Sequence, residues 1–318
     1  MSSLSGSGSG SGSGTPRLGR ESWDAMLPGP SSRNNGGSSD CSCSGLVAYG
    51  AGSSVAVVDR RSMQLVSVLP LPSPASHHRS LAPFVTSLRW TPQPLRRDIL
   101  THEPSSSHLV LAVGDRQGLI SLFDLRQGLS PLLSLHLDSS RSGIQDLCWI
   151  RSNHPHSWIL AAIHGPSLLS LWSLSSSRCF WKYDAAPQFL SCLRRDPFDS
   201  RHFCALALNG FLLSLNLLGD GEEEEDVLVK EVHIAPAAWD STDFLRLERD
   251  RDRRPVHLLV VAFPKDLVVF DLQYEVVLST APLPRGCGKF VHVVADPDNE
   301  VLYCAHLDGK LSVWMRKG

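Results

Sequence analysis

One short apolar run recurs six times along this chain, and that recurrence limits the possible fold more than any other feature. The copies span 54–59, 119–124, 168–173, 212–217, 267–271 and 310–315. Val58, Phe123, Trp172, Asn216, Phe270 and Trp314 hold the equivalent place, at intervals of 65, 49, 44, 54 and 44 residues. Intervals that cluster near 45, with the longer ones explained by loops, are those of four-stranded units stacked round an axis. A helix would instead need apolar residues at a 3.6-residue period over three or more turns, and almost no segment shows it.

Each unit carries two further strand-like runs ahead of the repeated one. The first lies at 85–90, 144–149, 189–193, 244–247 and 290–294, and the second at 108–113, 158–163, 203–208, 257–262 and 301–305. The turns after the second run hold glycine: 114–118, Asn209-Gly210 and Asp308-Gly309 supply the positive φ that tight hairpins need. The second and third runs are almost wholly apolar. Strands covered on both faces have that composition, as when sheets stack face to face. The sequence therefore predicts an all-β propeller of about six recognisable four-stranded blades, spanning 45–318. The last unit stops after its third strand, so the expectation is an incomplete seven-bladed ring, prone to aggregate in isolation because closure is what removes sheet edges.

Residues 1–44 read as a disordered Ser/Gly-rich tail, since so little apolar surface cannot offset chain entropy. One island in it, 22–27 with Trp23, Met26 and Leu27, is apolar enough to dock as a short helix, a spare strand or a linear motif. The tail has no apolar core of a signal peptide, and no run reaches the roughly 18 apolar residues of a membrane span. The acidic run Glu222-Glu223-Glu224-Glu225, the charged stretch 246–254 and the Pro/Ser-rich connectors 70–83 and 91–107 read as solvated loops, with partner docking as the sharper alternative.

Charge and chemistry narrow the function. With 30 basic and 32 acidic side chains the net charge is −2, so no broad positive field invites nucleic acid. The eight cysteines include no C-x-x-C pair. Most lie in apolar runs and read as buried thiols of a reducing compartment; Cys41 and Cys43 lack the partners of a metal site. No nucleophile elbow, Walker A loop, H-E-x-x-H or dinucleotide-binding glycine set is present. His77-His78 and His154-Pro155-His156 read as loop surface, Asp196 and Asp199 as turn carboxylates that bond nearby amides, and Trp90 and Trp149 as core. The starts of the inner strands hold Phe84, Ile144, Phe189, Phe244 and Phe290, an apolar set that disfavours a channel active site. The expectation is a non-enzyme with no catalytic, cofactor-binding or metal-ligating residue, whose rim loops bind other proteins. The alternatives are a propeller enzyme with a central-channel site and a nuclear adaptor.

The six units resemble the WD-repeat family. Phe123-Asp124 and Phe270-Asp271 stand at its Trp-Asp position, while Trp172 and Trp314 keep the Trp alone. The family's Gly-His before the inner strand is mostly absent, so its buried Asp-His-Ser-Trp hydrogen-bond network is not assumed. The runs at 45–50, 55–59, 143–149, 179–182 and 195–200, taken in order, are similar to the opening propeller of the large WD-repeat proteins that carry two successive rings, and the serine-rich loops are similar to plant members. That resemblance implies a subunit of a cytosolic complex that captures endosome-derived vesicles at the trans-Golgi network. It further implies vesicle-tethering subunits as partners, membrane contact only through them, and a cytoplasmic location with a nuclear pool as the lesser option.

Overall fold

The computed structural model describes residues 38–72, 82–92, 109–137, 142–151, 158–196, 199–207, 209–218, 226–234, 241–247, 256–296 and 301–315. Among them every regular element is a strand, and every strand pairing is antiparallel between chain neighbours. Blade 1 is β1 (Ser39–Cys41), β2 (Leu46–Ala51), β3 (Ser54–Asp59) and β4 (Leu65–Pro70). Blade 2 is β5 (Val85–Trp90), β6 (Val110–Asp115), β7 (Ile120–Asp124) and β8 (Leu133–Leu135). Blade 3 is β9 (Ile144–Arg151), β10 (Trp158–His164), β11 (Leu168–Ser173) and β12 (Arg178–Asp184). Blade 4 is β13 (Leu190–Arg195), β14 (His202–Ala207), β15 (Phe211–Leu217) and β16 (Val227–His233). Blade 5 is β17 (Ser241–Leu247), β18 (Val256–Ala262), β19 (Asp266–Asp271) and β20 (Val276–Pro282). Blade 6 has three strands, β21 (Phe290–Asp296), β22 (Val301–His306) and β23 (Leu311–Met315). The architecture is the expected all-β propeller.

Successive blades bury their faces on one another. Val55, Val57 and Leu69 of blade 1 meet Leu88, Leu111 and Phe123 of blade 2. Ile120 and Leu122 of blade 2 meet Leu147, Leu160 and Trp172 of blade 3. Ile159, Leu169 and Leu171 of blade 3 meet Leu193, Phe203 and Leu213 of blade 4. The pattern continues through Leu206 and Leu259 between blades 4 and 5, and Val260 and Leu302 between blades 5 and 6. The middle strands are apolar on both sides because both sides meet a sheet.

Hairpin glycines behave as their sequence context predicts: Gly118, Gly210 and Gly309 have φ of 86°, 83° and 79°. Gly114 has another role. A Cβ there would lie 2.5 Å from the Ile144 side chain, so only glycine lets blade 2 approach blade 3 so closely. Two boundaries differ from the sequence reading. Ser39–Cys41, taken as the end of the tail, is the inner strand of blade 1, paired with Val47–Tyr49. Strand β6 runs through Gly114 and Asp115, two residues into the expected turn. The island 22–27, His77-His78, His154 and His156, and the acidic run 222–225 lie outside the described residues.

Candidate interaction site

The inner strands do not line the channel with apolar groups alone. The first residues of β5, β9, β13 and β21 are apolar, but a charged cluster follows further along. Asp146 on β9 accepts hydrogen bonds from Arg89 Nη2 at 2.8 Å and Ser87 Oγ at 3.3 Å, both on β5. From β13 it accepts Arg194 Nη1 at 3.3 Å and the Leu193 amide at 2.9 Å. One carboxylate thus joins blades 2, 3 and 4. Its side chain is 7% exposed and the arginines 24% and 19%. A carboxylate this poorly hydrated is stable there only because cations and donors surround it. On the blade 1 side, Asp40 Oδ2 accepts the Trp90 amide at 2.8 Å. Burial raises the Asp40 pKa, with Arg89 opposing. His292 of blade 6 is held below its ordinary pKa by desolvation first, then by Arg194 and Arg89, with Asp146 opposing.

A second set of polar contacts repeats inside the blades. In blade 3, His164 Nε2 lies 2.8 Å from Ser170 Oγ, and Trp172 Nε1 donates to the same hydroxyl at 2.9 Å. Blade 6 builds the same relay from His306, Ser312 and Trp314, at 2.7 and 3.0 Å. The ladder registers coincide: Ala162↔Ser170 and Leu160↔Trp172 correspond to Cys304↔Ser312 and Leu302↔Trp314. The histidine comes from the end of the second strand, so a network forms without the family's Gly-His. Blade 2 has Asp115, Ser121 and Phe123 in these places. The relay fails there: buried Asp115 Oδ2 and Ser121 Oγ have no hydrogen-bond partner among the described residues. Burial raises the Asp115 pKa and lowers that of His164 to about 4.

Blade 4 presents a carboxylate, an imidazole and a hydroxyl in line. His202 Nδ1 lies 3.0 Å from Asp196 Oδ2, and its Nε2 lies 2.8 Å from Ser214 Oγ. That order is the one of hydrolase triads, but a nucleophile also needs an open approach and free oxyanion donors. Ser214 stands in mid-strand between fully buried Leu213 and Leu215, and β15 is paired along both edges. The contact therefore ties strands together as the relays in blades 3 and 6 do.

Residues singled out from sequence fall as follows. Trp90 and Trp149 are buried, and their indole N–H groups donate to the Asp40 and Arg89 carbonyls. Asp196 and Asp199 accept the Asp199 and Arg201 amides, at 3.4 and 3.0 Å. Cys148, Cys192, Cys204 and Cys304 are buried free thiols, and burial pushes Cys148 and Cys304 up to about 11. Cys41 and Cys43 are exposed. Of the inner-strand starts, Ile144 and Phe290 are buried, while Phe189 is exposed. The Asp146 cluster was not anticipated, because its cross-blade partners lie 47 to 59 residues from Asp146 along the chain. The relays had a readable signal: His-x5-Ser-x-Trp occurs at 164–172 and again at 306–314.

One set of exposed apolar side chains lies on the outer strands. Leu65, Val66 and Val68 on β4, Leu228 on β16, and Val276, Val277 and Leu278 on β20 are exposed apolar side chains. Tyr274 is exposed at the turn before β20, where Glu275 forms an ion pair with Lys230 of blade 4. These positions form an apolar outer margin on blades 1, 4 and 5, interrupted by charge.

Comparison with known proteins agrees with this architecture. WD repeat-containing protein 11 of Mus musculus is 23% identical over 326 aligned positions, covering 92% of this chain and 25% of its own length. The Homo sapiens protein gives the same figures, and the Danio rerio protein is 22% identical over 304 positions, covering 85% and 23%. The chain thus spans about a quarter of the length of these relatives. Among solved structures, a chain of a mitotic checkpoint complex superposes with a TM-score of 0.65 at 14% identity, covering 92% of this chain and 79% of that one. A structure of BBS1N in complex with ARL6DN gives 0.62 at 12% identity, covering 85% and 73%; both likenesses concern the fold. The family described as WDR11 first beta-propeller matches residues 29–257 and 251–318, nearly the whole of the repeated region, and the chain belongs to that family.

Proposed function

We propose that this chain is a non-catalytic scaffold that binds other proteins, and that it serves a cytosolic complex capturing endosome-derived vesicles at the trans-Golgi network, the role that its resemblance to two-ring WD-repeat proteins implies. The observation that carries the scaffold reading is the division of labour between centre and margin. The buried Asp146 carboxylate on the inner strands is already bonded by two arginines and three further donors, which occupy its oxygens. The outer strands, by contrast, hold apolar side chains in water, as a contact surface does. Membership of the WDR11 first beta-propeller family supports the scaffold reading.

Proximity labelling in cells tests it, using the chain and a V276E/L278E variant of the outer strand of blade 5. Tethering-complex subunits should be enriched by the first and reduced by the second. Enrichment of chromatin proteins alone would favour a nuclear adaptor and sink the reading.

A further inference from the structure

Among the described residues two Ser/Thr-Pro pairs occur, Thr91-Pro92 and Ser130-Pro131, and their surroundings are opposite. Thr91 is 2% exposed, and its Oγ1 donates to the Val110 carbonyl at 3.3 Å. Ser130 lies in the loop between β7 and β8, is exposed, and its hydroxyl has no hydrogen-bond partner among the described residues. Nor does any backbone hydrogen bond among those residues tie 128–131. The loop is pinned on either side of them, by the Gln127 amide on the Asp124 carbonyl and the Leu132 amide on the Leu122 carbonyl. Leu129 and Leu132, flanking the Ser-Pro pair, are each 56% exposed. Ser62 and Ser167, by contrast, donate to the Asp59 and Asp184 carboxylates at 2.9 and 2.6 Å.

We propose that Ser130 is a phosphorylation site, modified by a proline-directed serine/threonine protein kinase with ATP as the phosphoryl donor. Three features carry it. A kinase must draw its substrate into its own groove, and a stretch with no ladder to break opens at little cost. Pro131 supplies selectivity. A groove that offers no acceptor to the amide of the next residue, and an apolar wall to its ring, rejects other residues because their N–H would be buried unpaired. The hydroxyl is free to be aligned. Ser130 Oγ attacks the γ-phosphorus of ATP, and a new O–P bond forms as the bond to the β,γ-bridging oxygen breaks. ADP leaves with that electron pair, and the hydroxyl proton passes to a carboxylate of the kinase. The product places a charge of about −1.5 to −2 between two exposed leucines, turning an apolar stretch of the β7–β8 loop into an anionic one. This inference goes beyond the scaffold reading and does not rest on it.

The 318-residue chain, incubated with Mg-ATP and a purified proline-directed kinase, tests it, with the phosphate located in the tryptic peptide 127–141 by fragment-ion mass spectrometry. The expected product carries phosphate on Ser130 and none on Thr91. S130A should leave the peptide unmodified, and P131A should slow its modification at least about tenfold, the size of a specificity ratio set by one contact. Modification of Ser130 only after urea unfolding overturns the proposal, as does a native rate indifferent to P131A or a phosphate that persists on the peptide in S130A. The chain recovered from cells with phosphatases inhibited should carry the same phosphate, and an unmodified Ser130 there overturns the proposal as well.

Discussion

At the scale of single residues, buried polar atoms separate into those with partners and those without. Ser170 accepts from Trp172 and contacts His164, so S170A should cost about 1–3 kcal/mol, because two buried groups lose their common partner. Ser121 holds the same place in blade 2 with no partner, and S121A should be neutral or stabilising. Urea melts of the two variants check the contrast, and equal losses would refute it. D146A should cost about 3–5 kcal/mol, since it leaves two partly buried guanidinium groups without their counter-charge. His164 adds a pH dependence. Its folded pKa of about 4 lies below the ordinary value of 6.5, so the unfolded chain binds the proton first. That stability is fully present above about pH 6.5 and is lost as pH falls towards 4, by roughly 3 kcal/mol in all. H164Q should flatten the fall in melting temperature between pH 7 and 5; a parallel fall in both proteins would show that other groups cause it. None of these contacts was visible as a bond in the sequence. A relay within one hairpin at least has a fixed spacing, whereas Asp146 meets partners that only the stacking of blades brings near.

At the scale of strands, what was legible follows from burial. Most of the inner three strands of the blades sit in apolar runs, and most expected boundaries fall within two residues of the observed ones, as at Ser54–Asp59 and Val85–Trp90. The outer strands were not singled out. β16 and β20 alternate weakly or stand mostly in water, so their composition resembles that of a loop. The same reasoning explains β1, a three-residue strand at the end of a polar tract that pairing and the Asp40–Trp90 contact hold in place. Close approach between sheets is the other hidden constraint. G114A would drive a methyl group against Ile144 and should destabilise by about 1–3 kcal/mol, measured by thermal melting. Restored stability in G114A/I144V would confirm the cause, and no recovery would point to backbone strain instead.

At the scale of the whole molecule, each blade packs on its neighbours in chain order, so stability should behave as a sum of units and junctions. Among the described residues, blade 3 has a neighbouring blade on both faces and blade 6 on one. Amide exchange should therefore be slowest in Leu160–Ile163 and clearly faster in Leu302–Ala305. Uniform exchange across both strands would mean that the array opens as one body. The clamp at Asp146 then acquires an evolutionary meaning. Where every junction joins the same two kinds of face, whole units can in principle be duplicated or dropped without inventing new contacts. The third unit is the exception: excising it would leave Arg89 and Arg194 facing each other with no anion between them, so lineages that vary their repeat number should do so elsewhere along the arc.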